Sequence, residues 1–129
     1  VEPYLLSSAL LGVVGQRLVR TICPGCKADF LAPPELVEQF RWEGKGDVKL
    51  ARGKGCDDCY DSGFKGRMGI HEILKTDTEL QKLIISSPSR DELSDYLAGR
   101  SFHNLFTDGL GRALERRTTI EEVSRVTSI

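Results

Sequence analysis

Cys23-Pro24-Gly25-Cys26 and Cys56-Asp57-Asp58-Cys59 hold all four cysteines of the chain. Two residues between thiols let a tight turn aim both sulfurs at one point while backbone N–H groups face them. Two such turns build a closed S₄ site, the arrangement structural zinc prefers, and Cys23, Cys26, Cys56 and Cys59 are the expected ligands. With four protein ligands no coordination position stays open, so the metal would be structural and not catalytic. The same set accepts iron, because geometry alone does not choose the metal. Two disulfides would need an oxidising compartment, for which the chain carries no signal. A redox pair normally stands alone at a helix start after a strand. Zinc is the reading the pattern favours. Four thiolates around it leave a negative site, and Lys27, Lys54 and Lys65 are near enough in sequence to screen it.

Outward from the cysteines, residues 23–66 are rich in glycine, proline and charge, with a weak helix candidate at 34–40. A turn-rich stretch of that length is not expected to hold together on hydrophobic burial alone. Zinc would fasten it, with apparent binding free energies on the order of 10 kcal/mol. Residues 16–22 alternate as a strand whose apolar residues fall on both faces, so that each face needs cover. Residues 67–74 suit a second strand, with Met68, Ile70 and Leu74 on one side. The two are expected to pair, with the cysteine region inserted between them as an elaborated hairpin tip.

At the start of the chain, Pro3 followed by Tyr4, Leu5, Leu6, Ala9, Leu10 and Val13 predicts a short, largely buried helix, weakened at Gly12 and Gly15. Beyond residue 75 the pattern is helical. Thr76 with Glu79, Ser89 with Glu92, and Thr119 with Glu122 each fit a capping box. Behind them lie Leu80/Leu83/Ile84, then Leu93/Tyr96/Leu97 ended by Gly99, then Ile120/Val123/Val126. Ser101 is expected to cap a further helix with Phe102, Leu105, Phe106, Leu110, Ala113 and Leu114 on one face. Gly109 and Gly111 inside it cost roughly 1 kcal/mol each relative to alanine and mark a kink or a close helix contact. The predicted fold is α+β: a tetracysteine zinc subdomain (23–66) between two strands, a return strand (67–75) and a C-terminal helical subdomain (76–129).

The 129 residues are 40% hydrophobic and 29% charged, an ordinary globular composition. The formal net charge of −1 gives no general attraction to nucleic acid or to an anionic membrane. Between Cys23 and Arg67, eight basic residues balance eight acidic ones, so a nucleic-acid-binding ribbon lacks its basic face. The longest apolar stretches, 9–14 and 80–85, are far short of a membrane span, and no signal peptide is visible. No G-x-x-x-x-G-K-[ST] phosphate loop occurs. His71 and His103 read as ordinary packed or surface residues. Ser101, His103 and Asp108 crowd one helix and would not form a nucleophile–base–orienter line. No catalytic residue is expected. Val1 stands where an initiator methionine would, and the expectation is of a fragment of a larger protein.

A longer ordered set of motifs covers the whole chain. Val1-Glu2-Pro3-Tyr4-Leu5-Leu6-Ser7-Ser8 is followed by Gln16-Arg17-Leu18-Val19-Arg20 and Cys23-Pro24-x-Cys26. Next come Gly55-Cys56-x-x-Cys59 and Gly63-Phe64-x-Gly66-Arg67-x-Gly69-Ile70-x-Glu72, and finally Thr118-Thr119-Ile120-Glu121-Glu122-Val123-x-Arg125-Val126-Thr127. This succession resembles the C-terminal part of the type II secretion and type IV pilus assembly ATPases. The resemblance implies an upstream platform-binding domain and a RecA-like ATPase core that carries the phosphate loop, magnesium-site acids and arginine fingers. ATP and Mg²⁺ then belong to the full-length parent alone. Residues 1–22 correspond to the end of that core, and Cys23, Cys26, Cys56 and Cys59 to the ligands of the family's structural zinc.

The family implies a cytoplasmic hexamer, peripheral at the bacterial inner membrane through platform proteins, with no nucleic-acid partner and no direct membrane insertion. Its ATP turnover drives pseudopilus or pilus assembly. Retraction motors of the wider family lack the cysteine insertion, and Leu10-Leu11-Gly12-Val13 leans toward secretion over pilus extension. The alternatives are the same region of a pilus extension ATPase, a free-standing zinc ribbon that binds nucleic acid, and an S₄ iron redox protein.

Overall fold

The computed structural model describes residues 2–99 and 102–127. Its elements run α1 (Pro3–Ala9), β1 (Gly12–Ile22), β2 (Lys27–Leu31), α2 (Pro34–Gln39), β3 (Lys49–Gly53), a 3₁₀ turn (Asp57–Cys59) and β4 (Phe64–Lys75). Four helices follow: α3 (Thr78–Ile85), α4 (Arg90–Ala98), α5 (Leu105–Leu114) and α6 (Ile120–Thr127). The fold is α+β, as the sequence predicts.

β1 pairs with β4. Gly12 faces Leu74, Gly15 faces Glu72 and Gly66 faces Thr21, an order that makes the pair antiparallel. The cysteine region therefore does sit between two paired strands. β1 starts earlier than expected because Gly12 and Gly15 belong to the ladder. A side-chain carbon at Gly12 would stand 3.1 Å from the Leu74 carbonyl oxygen, an approach that glycine alone makes easily. A second antiparallel pair, β2 with β3, runs in register from Lys27↔Gly53 to Leu31↔Lys49. The sequence reading missed it.

Two compact units divide the described residues. The first comprises those of Val1–Gly15 and His71–Asn104. In it α1 meets α3 through a reciprocal pair: the Ser7 hydroxyl donates to the Gln81 carbonyl (3.0 Å) and the Gln81 amide donates to the Ser7 carbonyl (3.3 Å). Only Ser7 of α1 is buried, whereas Tyr4 is 61% exposed and Leu5 50%. The expectation of a largely buried first helix is thus corrected: seven residues cannot hide three consecutive apolar side chains on the one face that packs. The cap of α3 is also corrected. Asp77, not Thr76, accepts the Leu80 N–H (2.8 Å), and the same carboxylate oxygen accepts the Tyr96 hydroxyl (3.0 Å). Ser89 and Glu92 form the capping box predicted for α4, with Gly99 as its C-cap.

The second unit, Gln16–Ile70 with the described residues of Leu105–Ile129, has Val19, Ile70 and Val123 at its centre, all fully buried. Met68, Leu105, Phe106 and Val126 pack against them. Phe40 lies 5.2 Å from Trp42 and 6.0 Å from Phe106, ring centroid to centroid. Trp42, Leu50 and Ala51 are buried, so residues 23–66 own more apolar core than their composition suggests. The predicted start of α5 falls partly on Ser101, outside the described residues. The helix begins at Leu105, with Phe102 ahead of it.

A candidate tetracysteine metal centre

Each cysteine pair sits on a tight turn. Cys26 N–H donates to the Cys23 carbonyl (3.3 Å) in the first and Cys59 N–H to the Cys56 carbonyl (3.3 Å) in the second. The second turn closes through Tyr60 and Asp61, both with positive φ (54° and 61°), and Asp61 N–H returns to the Cys56 carbonyl (2.9 Å). The turns are tied together by Cys23 N–H on the Gly63 carbonyl (2.9 Å) and by β3, whose Gly53 lies against Gly63. A side-chain carbon on Gly53 would come within 2.1 Å of the Gly63 carbonyl oxygen, so no other residue fits there.

This scaffold brings all four predicted residues to one place. The sulfurs of Cys23, Cys26, Cys56 and Cys59 lie within 4.8 Å of one another. The separations Cys23–Cys56 and Cys26–Cys59 are 3.8 Å, and Cys56–Cys59 is 3.7 Å. A disulfide needs about 2.05 Å, so these are not bonded pairs. Four sulfurs held tetrahedrally at about 2.3 Å from a common centre stand about 3.8 Å apart, and the observed edges match. The donor set and its spacing fit a four-coordinate metal ion.

The surroundings favour thiolate at Cys59. Gly55 N–H donates to the Cys26 sulfur (3.3 Å), while Cys56 N–H (3.3 Å) and Gly63 N–H (3.2 Å) both donate to that of Cys59. Burial pushes the Cys59 thiol up, but the Gly63 and Cys56 N–H groups outweigh it and hold its pKa down at about 6. Burial, with the Cys59 and Cys23 thiols beside it, pushes Cys56 up to about 12, and burial also raises Cys26. Without a counter-ion, negative charge therefore gathers on Cys59, while Cys26 and Cys56 hold their protons. A cation among the four sulfurs relieves that conflict. Sequence reasoning singled out the four cysteines that cluster but not the N–H donors around them. Their signal was the glycine before and the glycine shortly after the second pair, Gly55 and Gly63.

The chain belongs to the Type II/IV secretion system protein family, whose model matches residues 1–125. It is 41% identical over 127 residues to the Type II secretion system ATPase E of Vibrio cholerae, covering 98% of this chain and 25% of that protein. Identity to the Type II secretion system protein E of Pseudomonas aeruginosa is 39%, with the same coverage. The Type IV pilus assembly ATPase PilB of Thermus thermophilus is 39% identical over 126 residues, covering 95% of this chain and 14% of that protein. The chain thus spans a quarter or less of the length of these relatives.

Proposed function

We propose that this chain is the zinc-stabilised, non-catalytic C-terminal region of a hexameric cytoplasmic ATPase that powers type II protein secretion. The sulfur tetrahedron carries the metal assignment, and the chain-long match to secretion ATPases supports the parent. Cys23, Cys26, Cys56 and Cys59 are the ligands. Bound zinc supplies a divalent centre that keeps four thiolates together, while Gly55, Cys56 and Gly63 share their charge through N–H donation. Four sulfur ligands leave no position for substrate, so the region serves assembly and partner contact rather than chemistry. In this reading residues 1–22 close the ATPase core and 23–66 form the zinc subdomain. Residues 67–75 return the chain, and 76–129 form the helical domain. ATP and Mg²⁺ bind elsewhere in the parent, which docks on inner-membrane platform proteins.

The relatives named for pilus assembly support the alternative of a pilus extension motor. Complementation separates the two. The full-length gene carrying this region should restore protein export to a strain lacking its type II secretion ATPase, and should leave pilus-dependent motility unrestored in a strain lacking its pilus ATPase. The reverse pattern would transfer the region to pilus extension, and ATP turnover by the isolated chain would refute the non-catalytic role.

A further inference from the structure

Apart from the cysteines, the second unit carries a cleft of about 470 Å³ lined by Arg20, Ser62, Phe64, Gly66, Arg67 and Arg125. Two of its arginines, Arg20 and Arg125, are tied to a buried carboxylate. Glu122 is 2% exposed and accepts from both Arg20 and Arg125: Arg20 Nε reaches Oε1 (3.1 Å) and Nη2 reaches Oε2 (2.9 Å), while Arg125 Nε reaches Oε2 (3.2 Å) and its Nη2 reaches Oε1. Each of these guanidinium groups is held by one edge, and its Nη1 has no acceptor among the described residues. Arg20 is further fixed with its carbon 4.3 Å from the centroid of the Phe64 ring. The side chain of Arg67, exposed on β4, makes no hydrogen bond or ion pair among the described residues.

Three guanidinium groups against one carboxylate leave two positive charges in excess in one concavity, on a chain whose formal net charge is −1. Charges of one sign drawn into a cleft repel one another unless a ligand joins them. We infer that this cleft binds a phosphoryl dianion, a free phosphate or diphosphate or the phosphate of a lipid headgroup. The excess charge matches a dianion. Three planar forks suit the terminal oxygens of a phosphate better than the two of a carboxylate. Glu122 is the internal counter-ion that pre-orients two arginines, and Arg67 is the one the ligand must recruit.

Calorimetric titration of the full chain with inorganic pyrophosphate and with orthophosphate, at low ionic strength, tests the site. One saturable site is expected, weakened about tenfold or more in Arg67→Ala and partly restored in Arg67→Lys. Flotation with phosphatidylcholine vesicles containing phosphatidic acid forms the second arm. Vesicle binding that depends on Arg67 without binding of the soluble anions assigns the site to a headgroup, and the converse to a free phosphate. Absence of saturable binding in both arms, or affinity unchanged by Arg67→Ala in a variant with native circular dichroism, overturns the inference.

Discussion

Glu122 decides more at the residue scale than any side chain outside the cysteines. Burial raises its pKa, yet the hydrogen bonds from Arg125 and Arg20 outweigh burial and hold it at about 2, against an ordinary 4.5. A carboxyl with a depressed folded-state pKa contributes stability that is present above its unfolded value and is lost as pH falls through the folded one. The contribution is on the order of 2 kcal/mol, because solvent around the half-exposed arginines screens the attraction. Chemical denaturation of wild type and Glu122→Gln between pH 7 and 2.5 should show wild type more stable at neutral pH, with the gap closing below about pH 4.5. Acid release of a metal would affect both proteins alike, so the difference isolates Glu122; a gap independent of pH would refute the assignment. The Thr119–Glu122 spacing announced half of this. Glu122 N–H does donate to the Thr119 hydroxyl (3.1 Å), as in a capping box. The carboxylate turns instead to Arg20, 102 positions away, a partner no local pattern can reveal. Thr76 and Asp77 teach the same point, since the contest between adjacent caps is settled by the distant Tyr96 hydroxyl. The cysteines were legible because their spacing is itself the local geometry of the site.

Among the elements, α2 follows its sequence pattern closely and β4 begins three residues before the expected Arg67, at Phe64, while β2 and β3 escaped notice. Each is only five residues long, and they are joined through α2 and a glycine-rich loop, so neither shows an alternation that stands out from its charged surroundings. The two glycines of α5 read alike in sequence and differ in structure. A side-chain carbon at Gly109 would stand 2.4 Å from a Val123 methyl, so of the expected kink or close helix contact this one is a close contact, with α6; at Gly111 nothing among the described residues lies within 4 Å. Gly109→Ala should lower stability by about 1–3 kcal/mol through overpacking, and Gly111→Ala should raise it by about 0.5–1 kcal/mol through helix propensity. Thermal melts of the two variants check this, and a shift of the same sign in both would contradict the packing of α5 on α6.

For the molecule as a whole, the ordered motifs made the family legible from end to end, since they are spread along nearly all of the chain that the family model matches. The division into compact units was less so, because β1 and β4 each pass from one unit into the other and strand patterns mark pairing rather than unit boundaries. The cysteine region proved to have a small core of Trp42, Leu50 and Ala51, yet its two turns meet chiefly through backbone hydrogen bonds and the Gly53–Gly63 approach. Four clustered thiols in such a place, with N–H groups aimed at two of them, fit a metal ion. Elemental analysis of reduced protein, purified without chelator, tests that most directly. Wild type should carry one zinc per chain and Cys56→Ser should carry little or none; wild type without bound metal, or a variant that keeps the full complement, would contradict the account.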